Sequence, residues 1–177
     1  MIERLQHIAA LIWAFPSHEI HGRLKLQKAM FFAKAVGVPI PYEYRYLHFG
    51  PYSDGLKSDV DRLAAFEELS ESVSTSGEFE TVITRMNSKS ELPTNEVPPA
   101  TARVFSKIAF LVNDEPASAL EVASTFYWYK RSGLSDDDAW SLAEQTKSTT
   151  WNMDGVPSRA KGLVHSLQEL REVSAHS

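Results

Sequence analysis

Residues 22–33, GRLKLQKAMFFA, carry the pattern that decides the predicted fold. At about 100° per residue along a helix, Arg23, Gln27 and Lys34 fall on one narrow polar stripe, and most other positions are apolar. So narrow a stripe is typical of a helix that is buried on nearly all sides. The pattern therefore predicts a helix from Arg23 to Val36, ended by the glycine and proline that follow.

Two lysines of this helix lie off the polar stripe. Lys25 and Lys28 fall among apolar residues, although an unpaired buried charge is expensive. Two interpretations stay open. In the first, the alkyl stems pack on the core while the ammonium groups reach water, or one of them pairs with a core carboxylate. In the second, the arc is an exposed recognition face that holds a carboxylate or a phosphate.

A glycine-proline turn follows downstream. Residues 42–49 are rich in aromatic residues that suit a half-buried strand, and Gly50 and Pro51 are expected to end that strand. Ser53 or Asp54 then offers an oxygen that caps a third helix. The N–H groups at this helix start are an anion site in principle, but the capping residues favour a structural role.

The remaining pattern predicts an α+β fold, mostly helical, in which a small antiparallel sheet of one strand plus a hairpin packs among about seven helices. The hairpin strands are expected near 70–75 and 79–86, with Ser76 and Gly77 in the turn. Further helices are expected at about 1–15, 101–113, 117–131, 136–147 and 157–173. Residues 1–177 are predicted to form a single domain, with the proline-rich segment 87–100 as a candidate subdomain boundary.

Four consecutive aromatic residues, 126–129, precede Lys130 and Arg131. Aromatic rings beside cations can stack on bases or anchor a protein interface. Four consecutive positions of a helix cannot all face one core. Two rings are therefore expected in the core, with Trp128 or Tyr129 partly exposed.

Charge is distributed unevenly along the chain. Residues 1–66 hold eight Lys or Arg against six Asp or Glu, whereas residues 67–177 hold ten against seventeen, for a total of −5. This balance excludes an overall basic footprint for nucleic acid and leaves room for a local basic patch in the first third. The acidic remainder fits an ordinary solvated surface or a surface for a basic partner.

Composition and motifs exclude several function classes. The absence of cysteine excludes disulfides, thiolate catalysis and cysteine-ligated metal, and it suits a reducing cytoplasm. Neither a membrane span nor a signal peptide is expected, which predicts a cytoplasmic protein without membrane contact. His18 and His21 lack the further ligands of a zinc site, and the run at 136–138 suits a helix start. No phosphate loop or nucleophile motif is present, so neither cofactor nor enzymatic activity is expected.

Two segments in a fixed order resemble a known family. The first is the Leu-x-Leu-Gln-Lys-x-x-Phe-Phe helix at 24–32, and the second is Phe-Gly-Pro-Tyr-Ser at 49–53. Together they are similar to the YwgA-like and SocA-like (Panacea) proteins and to the C-terminal domain of DarG antitoxins. The resemblance covers about residues 20–66. No macrodomain precedes the segments as in DarG, so hydrolysis of ADP-ribose is not carried over.

The resemblance implies a non-enzymatic antitoxin or adaptor of a bacterial toxin–antitoxin system. Such a protein neutralises a toxin by direct contact, and here an acidic surface would imitate the toxin's nucleic-acid substrate. The candidate partner-binding residues come from this region and from the aromatic cluster: Arg23, Lys25, Gln27, Lys28, Tyr52, Ser53, Asp54, Trp128 and Tyr129.

Direct binding of nucleic acid is the alternative. The first three helices and the hairpin resemble a winged helix-turn-helix, although the expected element order is not a clean match. In that case Arg23, Lys25, Lys28 and Arg45 would contact phosphates.

Overall fold

The structure, a computed structural model, describes residues 2–76, 79–87, 90 and 96–175. Those residues form a mostly helical α+β fold, which confirms the predicted class. The α-helices are α1 (Ile2–Ala14), α2 (Arg23–Ala35), α3 (Asp54–Ala65), α4 (Pro99–Val112), α5 (Ala117–Lys130), α6 (Asp136–Thr146), α7 (Ser148–Trp151) and α8 (Val156–Ala175). The strands are β1 (Glu19–His21), β2 (Arg45–Leu47), β3 (Gly50–Tyr52), β4 (Leu69–Ser76) and β5 (Phe79–Met86).

Helix α2 lies at the centre of the molecule. Every residue from Leu26 to Ala33 is buried, and the helix packs against α4 and α5. The predicted helix is thus confirmed almost residue for residue. The predicted polar stripe is narrower than expected, because Gln27 is buried with the apolar residues.

The strands form two antiparallel sheets. One has the order β1-β5-β4, and the other is the two-stranded β2–β3 hairpin. The β4–β5 hairpin confirms the prediction, although Ser76 belongs to β4 and the predicted turn residue Gly77 lies outside the described residues. Strand β1 was not predicted, because a strand of three residues is too short to show a period of two.

The strand predicted at 42–49 is wrong in its extent. Only Arg45–Leu47 pairs with a neighbour, whereas Tyr42 and Tyr44 are buried in an extended segment without a strand partner. Gly50 and Pro51 do not end the strand but form β3 and pair with Leu47 and Tyr46. The aromatic pattern reflects burial against the helices rather than a long sheet ladder.

The core contains helices that precede the segment 87–100 in the sequence and helices that follow it. Phe32 of α2 meets Tyr127 of α5 edge to face at 6.1 Å, and Phe105 of α4 is fully buried in the same cluster. Half of the predicted loop lies outside the described residues, and its last two residues already belong to α4. Within the described part of the chain, no helix is long and apolar enough to cross a bilayer.

Serine side chains cap the starts of α3 and α6, and the first of these caps was predicted. The Ser53 Oγ accepts from the Leu56 N–H at the start of α3, at 3.2 Å. At the start of α6, the Ser135 Oγ accepts from the Asp138 N–H at 3.1 Å and donates to the Asp138 carboxylate at 2.7 Å. These bonds satisfy donors that the first turn of a helix otherwise leaves unpaired.

Candidate functional site

The two segments that carry the family resemblance are bonded to each other. Gln27 exchanges two hydrogen bonds with the backbone of Ser53: Nε2 donates to the Ser53 carbonyl and Oε1 accepts from the Ser53 N–H, both at 2.9 Å. The next residue of the helix also bonds to this hairpin. The Lys28 Nζ donates to the carbonyl oxygens of Phe49 at 2.5 Å and Pro51 at 2.9 Å. Helix α2 therefore holds the β2–β3 hairpin through its backbone.

Lys28 matches neither interpretation drawn from its position on the helix. It is 2 % exposed, so its ammonium neither reaches water nor is presented to a partner on an open face. Its hydrogen-bond acceptors are the two backbone carbonyls rather than a carboxylate. Burial lowers the pKa of Lys28 to about 7, and Lys147 acts in the same direction against an opposing effect of Glu121.

Gly50 allows the hairpin to approach α2 this closely. Its φ of +84° is unfavourable for residues with a side chain. A Cβ at this position would lie 3.2 Å from the Lys28 Nζ, 3.3 Å from the Ser124 Oγ and 3.4 Å from the Thr125 Oγ1. The backbone conformation therefore favours a glycine, and an added Cβ would also make these neighbours shift by a few tenths of an ångström.

A second buried lysine holds the hairpin from the other side. Lys147, 7 % exposed, donates to the His48 carbonyl and lies 2.6 Å from the Glu121 carboxylate. The Tyr46 hydroxyl is hydrogen-bonded to the Thr125 Oγ1 at 2.9 Å. Helices α2 and α5 and the end of α6 thus fix the hairpin before any partner binds.

A pocket of about 410 Å³ opens beside this anchored hairpin; we call it the apolar pocket. Residues of α2, of the hairpin and of α3 line it: Arg23, Leu24, Leu26, Gln27, Lys28, Leu47, His48, Phe49, Gly50, Tyr52, Leu56, Lys57, Val60 and Asp61. Leu47 and Phe49 remain 37 % and 56 % exposed. A concave, largely apolar surface of this size fits an anchoring side chain or a small ligand.

Charged side chains occupy one part of the lining. Lys57 lies 2.5 Å from the Asp61 carboxylate, and Arg23 lies 3.6 Å from the same carboxylate while also pairing with Glu71. These ion pairs are exposed and contribute little to stability. They leave the apolar part of the pocket free of unpaired charge.

Four of the nine predicted site residues line this pocket, namely Arg23, Gln27, Lys28 and Tyr52. The other five do not line the apolar pocket. Lys25 is half-buried and donates to the Asn113 carbonyl at the end of α4, and burial lowers its pKa. Ser53 is buried as the cap of α3, and Asp54 forms an exposed pair with Arg45 at 2.9 Å.

The aromatic cluster behaves as expected. Phe126 and Tyr127 are buried, whereas Trp128 and Tyr129 are partly exposed. The Trp128 ring lies 5.6 Å from that of Tyr46, on the opposite side of β2 from the pocket residue Leu47. The Tyr129 hydroxyl is hydrogen-bonded to the Thr146 Oγ1 at 2.7 Å. Neither residue lines the apolar pocket.

Sequence reasoning missed Leu47, Glu121 and Lys147. Leu47 lies in the predicted strand, but nothing in a strand pattern marks which side chain borders a pocket. Glu121 and Lys147 are far from the hairpin in sequence, so their pairing depends on the tertiary fold. Among the residues that the structure describes, no group of three His, Asp or Glu side chains is placed to hold a metal ion.

No protein-family model matches the chain, and no curated protein matches it.

Proposed function

We propose that this protein is a non-enzymatic, antitoxin-like binding module that captures a partner toxin by receiving one of the toxin's apolar side chains in the apolar pocket. The observation that carries the proposal is the pocket itself, bordered by exposed Leu47 and Phe49 on a hairpin that the protein has already fixed. Interface energy concentrates in anchors that fill such pockets.

The anchoring of the hairpin supports this reading. Binding is weakened when a loop must be ordered at the moment of association. Here the carbonyl oxygens of residues 48, 49 and 51 are already bonded to Lys28 and Lys147. The two exposed side chains are therefore presented without a large ordering penalty.

The finer part of the proposal concerns the toxin. A bacterial cytoplasmic toxin that acts on nucleic acid has a basic surface, and the excess of acidic over basic residues in 67–177 complements it. Mimicry of the nucleic-acid substrate by that part of the chain follows from the family resemblance. It requires that the complex weaken as the salt concentration rises.

One observation favours the alternative of a winged-helix protein. The order α1, β1, α2, α3, β4, β5 and the sheet β1-β5-β4 resemble that architecture, although the β2–β3 hairpin interrupts the order between α2 and α3. The charges oppose it. The four cations assigned to phosphates, Arg23, Lys25, Lys28 and Arg45, are bonded to carboxylates or carbonyls within the chain. Salt-sensitive binding of a 20-base-pair duplex to the purified protein would favour the alternative.

The decisive experiment starts from affinity purification of the tagged protein from its native cells. The recovered partner is then produced alone and recombined with the wild type, with Leu47→Asp/Phe49→Asp, or with Phe110→Asp. Phe110 is 81 % exposed on α4 and is the matched control. We expect the double variant to lose at least roughly a hundredfold in affinity and the control to bind normally. Equal binding by all three proteins would exclude the pocket, and a partner without toxicity in the producing cell would exclude the antitoxin role.

A further inference from the structure

A second concavity, which we call the basic pocket, lies further along α2. It has a volume of about 390 Å³ and shares no lining residue with the apolar pocket. Four cationic side chains from three helices converge on it: Lys34, Lys130, Arg131 and Arg171. No carboxylate is among its lining residues. In a chain with a net charge of −5, this is a local concentration of positive charge.

The two lysines are already oriented. Lys34 donates to the Tyr42 carbonyl at 2.6 Å and lies 3.5 Å from the exposed Glu43 carboxylate. Lys130 donates to the Leu134 carbonyl at 2.7 Å and lies 2.8 Å from Asp136. Neither carboxylate lines the basic pocket, and the two neutralise only part of the positive charge of its four cations.

The two arginines are less engaged. The Arg131 guanidinium lies over the Trp128 ring, 4.6 Å from its centre. Within the described part of the chain, neither Arg131 nor Arg171 forms an ion pair. Guanidinium groups without an ion pair retain N–H donors for a phosphate or a carboxylate, which arginine binds in a bidentate manner.

Tyr44 supplies an independent indication of a ligand. It lines the basic pocket and is 8 % exposed, and among the residues that the structure describes its buried hydroxyl has no hydrogen-bond partner. A buried polar group without a partner is uncommon and destabilises the free protein. Burial raises the pKa of this hydroxyl, so it keeps its proton and can donate. A bound acceptor would satisfy it, and binding has to open a path to this hydroxyl, which is inaccessible in the free protein.

Apart from Ala35, the rest of the lining is aromatic. The Phe31 ring packs edge to face on that of Tyr44 at 5.0 Å, and the Tyr127 ring contributes a third apolar surface. Rings of this kind accept a flat ring of a ligand, while the cations accept its charge.

We propose that the basic pocket binds a small phosphorylated ring compound of the nucleotide class, with the phosphate held by Arg131 and Arg171 and the ring against Phe31 and Tyr44. The convergence of four cations on one concavity favours a small molecule over a nucleic-acid strand, because a strand needs cations spread along a groove. The proposal goes beyond the capture of a toxin and does not depend on it, since the two pockets use different residues.

The test measures binding of each of the four ribonucleoside 5′-diphosphates to the full chain by titration calorimetry at low salt. Adenosine, inorganic pyrophosphate and a ten-nucleotide single strand serve as reference probes. We expect at least one diphosphate to bind with a dissociation constant below roughly 1 mM and more tightly than all three references. Failure of all four diphosphates overturns the proposal, as does equal binding by adenosine, by pyrophosphate or by the strand.

Variants assign the binding to the pocket. Arg131→Gln/Arg171→Gln should weaken binding at least roughly tenfold, because two charge-assisted contacts are lost. The control Arg103→Gln/Lys107→Gln removes the same charge from the exposed face of α4 and should leave affinity unchanged. Tyr44→Phe removes a hydroxyl without a partner, so the free protein should stay folded in a thermal melt while affinity falls severalfold. Equal affinities in all variants would overturn the assignment.

Discussion

The side-chain amide of Gln27 pairs with the backbone of Ser53 as a neighbouring strand would, giving one hydrogen bond and accepting one at 2.9 Å each. Both residues are buried, so water cannot replace either bond. The pair fixes where α3 begins relative to α2, and the apolar pocket lies between these two helices.

Loss of this pair should destabilise the fold. Gln27→Met keeps the volume but leaves the Ser53 N–H and carbonyl without partners, so we expect the free energy of unfolding to fall by about 2–4 kcal/mol. Urea denaturation measures the change. The control Gln145→Met alters an exposed glutamine on α6 and should change stability by less than about 0.5 kcal/mol. A Gln27 variant as stable as the control would contradict the structural role.

Substitution of Gly50 should be more damaging than substitution of another glycine with positive φ. Gly50→Ala combines an unfavourable φ of +84° with contacts at 3.2–3.4 Å, whereas Gly133 has a φ of +79° and nothing within 4 Å of an added Cβ. The backbone strain costs about 1–2 kcal/mol in each case. We expect Gly50→Ala to lose more than Gly133→Ala in thermal and urea unfolding, with the difference reporting the contact with Lys28. Equal losses would show that the hairpin moves away freely.

Lys28 should make stability depend on pH. Its pKa is about 7 in the folded protein and about 10.4 in an unfolded chain. Between these values the unfolded chain binds more protons at Lys28, so the free energy of unfolding rises with pH, by at most about 1.4 kcal/mol per unit. The neutral amine still has two N–H donors for its two carbonyl partners.

The comparison of slopes isolates this residue. Urea unfolding from pH 7 to 9.5 should show the rise in the wild type and in Lys107→Met, whose altered side chain is exposed on α4. The rise should be reduced in Lys28→Met, whatever its stability at pH 7. Parallel curves for all three proteins would contradict a depressed pKa at Lys28.

The buried pair of Glu121 and Lys147 should tune Lys28 in opposite directions. Glu121 favours the charged form of Lys28 and Lys147 disfavours it. Glu121→Gln should therefore lower the pKa of Lys28 further, and Lys147→Met should raise it. The side-chain NMR signal of Lys28, followed against pH in each variant, measures both shifts. Shifts of the same sign would show that rearrangement of the hairpin outweighs the direct charge effect.

Local patterns predicted most of the helices because a helix repeats its apolar spacing over many residues. The bounds of α2, α5 and α6 follow from that periodicity and from the caps and breakers beside them. The β4–β5 hairpin was also predictable, because its strands are long enough to show a repeating pattern of side chains. The short strands β1, β2 and β3 were not, because three residues carry too little periodicity and their pairing depends on distant neighbours.

The candidate sites were also predictable from the sequence only in part. The segments at 24–32 and 49–53 stand out in the sequence, but only the fold shows that they hold each other through Gln27 and Lys28. The basic pocket draws Lys34, Lys130 and Arg171 from three separate helices, and no spacing in the sequence connects them.

By itself, the sequence determined the helical content, the α+β class and the burial of α2, because these depend on side chains a few positions apart. The tertiary structure alone decided what the polar residues of α2 do. A lysine in an apolar arc is compatible with solvent exposure, with an ion pair or with bonds to carbonyls, and the choice rests on which groups the rest of the chain brings within 3 Å. For Lys28 those groups are the backbone oxygens of Phe49 and Pro51, more than twenty residues away.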